Sequence, residues 1–260
     1  MSVRSTEPGS QRRPARGDAR GDARGDARGP DRAAALAQYR QRAGVYDLEL
    51  ALFEPIRREA ISRLALQPGE VVLDVGCGTG LSLPLLQQGI GAAGRIVGIE
   101  QSPEMIERAR QRVAQQGWAN VTLLASPVES ARIGAQADAA LFHFTHDILR
   151  RPEAIAKVLR HLKPGARVVA SGLKWASPLL GWPVNLLVLP AALRSVSSLD
   201  GLHQPWDHLL AQLGTLQIES RLFGGVFMAS GVKAAGRRPA ARGGTQPPRA
   251  RAQPLKARRP

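Results

Sequence analysis

The stretch that decides the fold spans residues 71 to 80 and reads Val71-Val72-Leu73-Asp74-Val75-Gly76-Cys77-Gly78-Thr79-Gly80. Its first half is an apolar run interrupted only by Asp74, which is typical of a strand buried on both faces in a parallel sheet. Its second half is a Gly-x-Gly-x-Gly turn, in which glycines permit tight backbone geometry and leave room for a ligand beside the main chain. The stretch therefore predicts a buried strand followed by a ligand-binding turn.

Strands and helices alternate along the chain on either side of this stretch. Helices are predicted over 33–42 and 48–66, then 81–88, 103–116, 152–162 and 206–213, and strands over 95–99, 121–125, 137–144, 167–171, 215–222 and 225–231. Pro164-Gly165 is expected to end one helix, and Gly224-Gly225 to form a hairpin turn. The order predicts an α/β fold: a doubly wound, Rossmann-like, mostly parallel seven-stranded sheet with a C-terminal antiparallel β-hairpin.

The charge of the chain is concentrated at its two ends. The net charge is +15, yet residues 233–260 carry nine Lys or Arg and no acid, and residues 1–32 carry eight Arg against five acids. Residues 1–32 include three Arg-Gly-Asp-Ala repeats, which bury no apolar surface. We expect disordered tails over 1–32 and 234–260, around one domain over 33–233.

The acids that flank the glycine turn narrow the choice of ligand. Ligands of such sheets bind beyond the carboxyl ends of the strands, where Glu100 ends the second strand and its carboxylate can accept both hydroxyls of a ribose. A dinucleotide site requires Gly-x-Gly-x-x-Gly, but Leu81 stands at the sixth position. Asp74 would also repel a pyrophosphate, whereas a cationic sulfonium ligand with a free ammonium tolerates it better. These residues leave both a dinucleotide and a sulfonium nucleoside open as the ligand, and they favour the sulfonium nucleoside.

Three motifs in the correct order resemble those of class I S-adenosylmethionine-dependent methyltransferases. They span residues 71–80, residues 98–109 (Gly-Ile-Glu-Gln-Ser-Pro-Glu-Met-Ile-Glu-Arg-Ala) and residues 161–169 (His-Leu-Lys-Pro-Gly-Ala-Arg-Val-Val). The resemblance covers about residues 46–233 and is nearest to the small-molecule branch, similar to the ubiquinone and menaquinone biosynthesis methyltransferases. It implies S-adenosylmethionine as cofactor and an in-line methyl transfer to a small, apolar or aromatic acceptor.

The resemblance also implies a role for each matching position. The glycines would line the methionine and ribose side of the cofactor, Asp74 would hold its amino end through water, and Glu100 would bind the ribose hydroxyls. The predicted cofactor-binding residues are Asp74, Gly76, Cys77, Gly78, Gly80, Glu100, Gln101, Met105 and Val128. Gln101 and Met105 would border the adenine, and Cys77 is a small packing residue rather than a nucleophile. The family's Gly-Asp-Ala after the third strand is replaced by Ser126-Pro127-Val128, which leaves the Val128 backbone N–H to contact the adenine.

The acceptor is expected at the end of the fourth strand, where His146 and Asp147 are the candidate catalytic base. Period-two alternation puts His143 and Thr145 on one face, with Phe144 and His146 on the other. The alternative is that these histidines satisfy only local hydrogen bonds.

The remaining predictions concern partners and location. The rival function is an RNA-modifying or nucleic-acid-binding protein that uses its basic tails, although no base-flipping Asn/Asp-Pro-Pro-Tyr/Phe motif follows the fourth strand. No metal site is expected from the single cysteine. No secretory signal and no transmembrane segment are predicted, so we expect a cytoplasmic protein. The apolar stretch 178–193 allows a peripheral membrane contact.

Overall fold

The structure, a computed structural model, describes residues 53–176, 183–186 and 201–235. The strands are β1 Val71–Val75, β2 Arg95–Glu100, β3 Val121–Ala125, β4 Ala137–His143, β5 Leu162–Leu173, β6 Gln217–Arg221 and β7 Val226–Val232. The longer helices are α1 Glu54–Arg63, α2 Leu83–Ile90, α3 Pro103–Gln116, α4 Pro152–Arg160 and α5 Asp207–Leu213. Single helical turns occur at Val128–Ser130, His146–Leu149, 183–186 and Leu222–Gly224.

All seven strands belong to one sheet in the order β3-β2-β1-β4-β5-β7-β6. Strands β1 to β5 run parallel, whereas β7 pairs antiparallel with both β5 and β6. The predicted α/β fold with its antiparallel C-terminal hairpin is confirmed. The strand order reverses between β1 and β4, so the carboxyl ends of these two strands form the switch point at which such sheets bind ligands.

Apolar side chains on the two faces of the sheet form two separate cores. Alternation along β1 sends Leu73 and Val75 to one core and Val72 to the other. Helices α4 and α5 cover the first face, and α1 and α2 cover the second. Helix α3 begins as predicted, with Ser102 as N-cap and its hydroxyl accepting a hydrogen bond from the Met105 N–H.

A ring of four charges of alternating sign ties α1 to the edge strand β6. Arg63 lies 2.7 Å from Glu59 and 2.6 Å from Glu219, and Arg221 lies 2.6 Å from Glu59 and 2.7 Å from Glu219. Hydrogen bonds from Arg63 and Arg221 are the main reason that the pKa of the Glu219 carboxyl is lowered to about 2. We call this set the α1–β6 charge ring.

Two local predictions were wrong. Pro164-Gly165 does not end a helix, because α4 ends at Arg160 and β5 begins already at Leu162. Proline and glycine are tolerated there because the β4–β5 register shifts between Ala137 and Ala139 and leaves this part of β5 irregular.

The hairpin turn also differs from the prediction. It is a 3₁₀ turn at Leu222–Gly224 rather than Gly224-Gly225 alone, and Phe223 adopts a left-handed φ of 53°. The strand before it, predicted over 215–222, shortens to Gln217–Arg221.

Several predictions fall on residues outside the described ranges. They are the helix over 33–42, the first five residues of the helix over 48–66, the tail over 1–32, all but the first two residues of the tail over 234–260, and most of the apolar stretch 178–193. The domain limits at 33 and 233 stay predictions.

Candidate active site

The glycine turn after β1 is held close to β2 and to the segment that follows β4. The backbone N–H groups of Gly76 and Cys77 both donate to the Ile99 carbonyl, at 2.8 and 3.1 Å. Gly76 has a φ of 72°, and a Cβ there would lie 2.5 Å from the Thr145 Cγ2. Gly80, with a φ of 81°, instead packs against α3, where a Cβ would lie 3.3 Å from the Ala109 Cβ. Gly76 and Gly80 are therefore required both by backbone conformation and by close packing.

Both carboxylate oxygens of Glu100, at the end of β2, accept hydrogen bonds from backbone N–H groups. Its Oε1 accepts from the Ser102 N–H at 2.8 Å, and its Oε2 accepts from the Gly78 N–H at 3.1 Å. Burial raises the pKa of this carboxyl, and the same backbone donors oppose that shift by stabilising the ionised form. The carboxylate is thus fixed at the mouth of the turn, where its remaining lone pairs can accept ligand hydroxyls.

A second acid, Asp74, lies below the turn and only 2% exposed. Period-two alternation puts Asp74 of β1 and His143 of β4 on the face that α1 covers, and α1 brings Arg57 to the same place. These three residues line one cavity of about 320 Å³ together with Cys77 and Ser82. The side-chain atoms Asp74 Oδ2, His143 Nε2 and Arg57 Nε have no hydrogen-bond partner among the described residues.

The electrostatics of this cavity follow from burial. Desolvation raises the pKa of Asp74 to about 7; the Arg57 charge opposes the shift and the Glu100 charge adds to it. Burial, with a contribution from Arg57, lowers the pKa of His143 to about 3, so the imidazole is neutral. His143 Nδ1 forms a 2.8 Å hydrogen bond with the Ser171 hydroxyl. The cavity thus combines one cationic, one acidic and one neutral polar group around unpaired atoms.

Cys77 packs downward from the turn rather than towards a ligand. A Cβ on Gly98 of β2 would lie 3.0 Å from the Cys77 Sγ, so the thiol occupies the space that this glycine leaves. Burial, followed by the charges of Asp74 and Glu100, raises the pKa of the thiol well above its usual value. An un-ionised, buried thiol is a poor nucleophile, as expected for a packing residue.

A cleft of about 650 Å³ opens between the carboxyl ends of β1, β2 and β4. Its walls include Gly76, Gly78, Ile99, Glu100, Gln101, Met105, Ser126, Val128, Glu129, Phe144, Thr145, Asp147, Ile148 and Arg151. The structure thus brings together six predicted cofactor-binding residues and Asp147. Asp74 and Cys77 line the adjoining cavity beneath the turn, and Gly76 and Gly78 line both.

The segment after β4 departs from the predicted geometry. β4 ends at His143, Phe144 has a left-handed φ of 56°, and residues His146–Leu149 form one helical turn. The predicted alternation of faces from 143 to 146 is therefore wrong, because the backbone leaves the extended conformation at Phe144. His146 and Asp147 are both 8% exposed, but Asp147 lines the cleft whereas His146 lines a separate small cavity.

Three charged residues of the site were not predicted from the sequence. Arg57 is followed in the same helix by the exposed Arg58, and only its burial to 3% exposure distinguishes it. Glu129 and Arg151 form a 3.2 Å ion pair across the rim of the cleft. Glu129 could have been found from the sequence, because it directly follows Val128, a predicted cofactor-binding residue. Nothing in the local sequence distinguishes Arg57 or Arg151.

Two kinds of feature are absent from residues 53–176, 183–186 and 201–235. No helix in these ranges has the length and apolarity needed to cross a bilayer. No group of three or more His, Cys, Asp or Glu side chains is arranged there to hold a metal ion.

Comparison with known proteins shows that this site is similar to those of methyltransferases. Residues 72–165 match the family model described as a methyltransferase domain. The chain is 29% identical over 134 residues to the aklanonic acid methyltransferase of Streptomyces sp. (strain C5), covering 50% of this chain and 60% of that protein. It is 26% identical over 166 residues to the nocamycin O-methyltransferase of Saccharothrix syringae, covering 60% of this chain and 56% of that protein.

A solved structure shows the same fold. The N-methyltransferase NodS from Bradyrhizobium japonicum WM9, in complex with S-adenosyl-L-homocysteine, superimposes with a TM-score of 0.56 at 17% identity and covers 77% of this chain and 98% of that one. The chain spans 36 to 60% of the length of the first curated relatives it matches. The match to the family model, together with the strand order and the glycine turn between two acids, shows that residues 72–165 carry a methyltransferase domain.

Proposed function

We propose that this protein transfers a methyl group from S-adenosylmethionine to a small, apolar or aromatic acceptor. The observation that carries the proposal is the pair of acids on either side of the glycine turn. Glu100 faces the cleft with both oxygens anchored by backbone, and Asp74 faces the cavity below with an unpaired Oδ2. Two acids at this spacing suit a ligand with ribose hydroxyls at one end and an ammonium group at the other.

The residues present fit the cofactor along its whole length. Glu100 would accept the ribose hydroxyls, and Gln101, Met105 and Val128 would border the adenine, since all four line the cleft. Asp74 would hold the amino group. Arg57 adds a positive charge beside Asp74, which suits the carboxylate of the same amino-acid end.

The pKa of Asp74 near 7 supports this role. A cationic amino group favours the ionised carboxylate, so the bound cofactor would supply the counter-charge that the free cavity lacks.

The chemistry needs alignment more than acid–base assistance. When bound, S-adenosylmethionine supplies a methyl group on a positively charged sulfur, which a nucleophile attacks in line. The chain's contribution is to hold both reactants in a fixed geometry within a site that excludes water. Asp147 is placed to contact a group in the cleft, and His146 is one residue away on the same helical turn. We retain these two residues as the proposed catalytic pair.

The acceptor class rests on the relatives and on the walls of the cleft. The names of the two curated relatives refer to aklanonic acid and nocamycin, small molecules in both cases. Apolar side chains, among them Phe144 and Ile148, form the β4 side of the cleft. We therefore place the acceptor among small organic molecules with apolar surface.

Calorimetric titration with S-adenosylmethionine tests the cofactor assignment. Glu100→Ala should weaken binding about 100-fold, the loss expected for hydrogen bonds to a charged group. Glu107→Ala is the matched control, since Glu107 is an exposed acid on α3 that pairs with Arg110. Absence of heat with the unaltered protein would refute the cofactor claim, and equal affinity in Glu100→Ala would refute the ribose assignment.

The proposal also covers partners other than the acceptor, and the location of the protein in the cell. Nucleic-acid binding would depend on the basic tails, so the unaltered chain and one lacking 236–260 should be compared for retention of RNA on a filter. Peripheral membrane contact through 178–193 is tested by vesicle sedimentation. The single cysteine suits a reducing compartment, and we propose the cytoplasm.

A further inference from the structure

Two consecutive apolar side chains project into solvent from the turn of the β6–β7 hairpin. Leu222 is 48% exposed and Phe223 is 92% exposed, and we call these two residues the apolar tip. Both have a left-handed backbone, with φ of 46° and 53°. Exposure of a large apolar side chain costs free energy, and so does this backbone conformation in a residue other than glycine. Two such costs at one turn indicate that the apolar tip makes a contact outside the folded domain.

A third exposed apolar side chain lies on an adjoining turn. Leu186, 61% exposed, belongs to the helical turn 183–186. The Asn185 side chain joins this turn to Ala176, because it accepts from the Ala176 N–H at 2.8 Å and donates to the Ala176 carbonyl at 3.2 Å. On its other side, Ala176 approaches the hairpin, since a Cβ on Gly224 would lie 3.4 Å from the Ala176 Cβ. The exposed Leu186 therefore extends the apolar surface that begins at the tip.

The apolar tip lies on the same edge of the sheet as the cleft. Strand β7 begins at Val226, which pairs with Leu173 at the end of β5, so the turn before β7 is at the carboxyl end of β5. The cleft opens at the carboxyl ends of β1, β2 and β4, and β4 runs parallel to β5. A surface that binds the apolar tip is therefore also close to the edge at which the cleft opens.

A cation accompanies the apolar tip. The Lys174 N–H donates to the Gly225 carbonyl at 2.9 Å, which holds this residue against the hairpin turn. Its ammonium group donates to the Trp175 carbonyl at 3.3 Å, and no carboxylate of the described residues forms an ion pair with it. Apolar side chains beside an available cation suit a partner that is apolar inside and anionic at its surface.

The charge of the whole chain has the sign that such a partner requires. The net charge is +15, and residues 233–260 carry nine Lys or Arg and no acid. These residues begin at the end of β7, about 24 Å from the tip for a strand of seven residues. A chain of this length spans up to about 90 Å when extended, so its basic residues can reach the surface that the tip contacts.

We propose that the apolar tip inserts into the interface of an anionic membrane, with Lys174 at the level of the lipid phosphates. A membrane is favoured over a protein partner because the tip is a small projection without the area of a protein interface, and because the chain is strongly cationic. The surface differs from the stretch 178–193, and the contact itself does not require methyl transfer. With the proposed function, docking brings the cleft to a bilayer, in which apolar acceptors dissolve.

A single fluorescent label tests the insertion directly. Cys77 is the only cysteine and is buried, so a cysteine introduced at the surface can be labelled selectively. Phe223→Cys, labelled with nitrobenzoxadiazole, is mixed with vesicles of equal parts phosphatidylcholine and phosphatidylglycerol. Its emission should rise and shift to the blue as the label enters apolar surroundings. Val232→Cys is the matched control, because Val232 is an apolar residue, 56% exposed, at the opposite end of β7, and its label should not respond.

Vesicle sedimentation measures the strength of the contact with unlabelled full-length protein. Phe223→Ser should weaken binding to the anionic vesicles about tenfold, since a large apolar side chain no longer enters the interface. Lys174→Gln should weaken it about fivefold, and only when phosphatidylglycerol is present. Val232→Ser is the control and should bind as the unaltered protein does.

The outcomes distinguish the apolar tip from other modes of binding. No sedimentation of the unaltered protein, or bound protein with no response of the label at 223, would overturn the proposal. Equal responses at 223 and 232 would show unspecific adsorption and would overturn it as well. A label at 223 that responds to RNA but not to vesicles would identify nucleic acid as the partner instead. Binding of S-adenosylmethionine, followed by calorimetry, does not depend on any of these results, so failure of the proposed function is recognised separately.

Discussion

Replacement of Asp74 by Asn should make the stability of the protein less dependent on pH. The folded protein holds this carboxyl at a pKa of about 7, against a usual value of 3.8. Between these two values the folded state keeps a proton that the unfolded chain has lost, so stability falls as the pH rises towards 7. From pH 5 to pH 8.5 this group should cost the unaltered protein about 3 kcal/mol, at about 1.4 kcal/mol for each proton and pH unit.

Urea unfolding of both proteins at pH 5 and pH 8.5 measures this difference. At each pH, the free energy of unfolding of Asp74→Asn is compared with that of the unaltered protein. From pH 5 to pH 8.5 this difference should shift by about 3 kcal/mol in favour of Asp74→Asn. Asp138 is the matched control. Burial raises the pKa of Asp138, but the hydrogen bonds from Lys163 and the Val71 N–H lower it by more. The net pKa therefore lies below 3.8. Asp138→Asn should therefore change stability by the same amount at both pH values. Equal offsets for Asp74→Asn at the two pH values would refute the argument.

Three further perturbations follow from the packing and the charges. Gly76→Ala should destabilise the fold by about 2 kcal/mol or more in urea unfolding, because the new Cβ meets Thr145 at 2.5 Å on a left-handed backbone; a loss no larger than that of Gly134→Ala would contradict this. Arg221→Gln opens the α1–β6 charge ring and should lower the melting temperature in low salt but not in 1 M NaCl; an equal loss in both buffers would show that packing, not charge, is responsible. Cys77 should react with a disulfide reagent only as the protein unfolds, because its thiol is buried and its pKa raised; rapid reaction in native buffer would contradict the packing described.

The elements whose sequence follows a single period were predicted well. α3 runs from Pro103 to Gln116, as expected from the Ser102 cap, and β3 runs from Val121 to Ala125, as expected from its mainly apolar sequence. The glycine turn and Glu100 were likewise placed correctly, because the carboxyl ends of neighbouring parallel strands must meet at one edge. These features depend on local chemistry and on the geometry common to all parallel sheets.

The features that depend on tertiary context were not predictable. Nothing local distinguishes Phe144 from a strand residue, and the contact of its ring with Phe53, far away in sequence, exists only in the folded protein. Arg57 looks like any helix-surface arginine until α1 is placed over Asp74. His146 and Asp147 line different spaces because of the same turn at Phe144 that makes the predicted strand alternation wrong.

The position of β7 between β5 and β6 has a consequence for the order in which the protein is made. During synthesis the β5 edge emerges long before its partner, because Arg167 pairs with Val232. Until then it is an unpaired strand edge, which is a template for aggregation. Strand β6 cannot cover it alone, so β6 and β7 have to dock together as a finished hairpin. Since β7 also brings Phe227 to the small cavity behind Phe144, a nascent chain completes the glycine turn and Glu100 well before that cavity is closed.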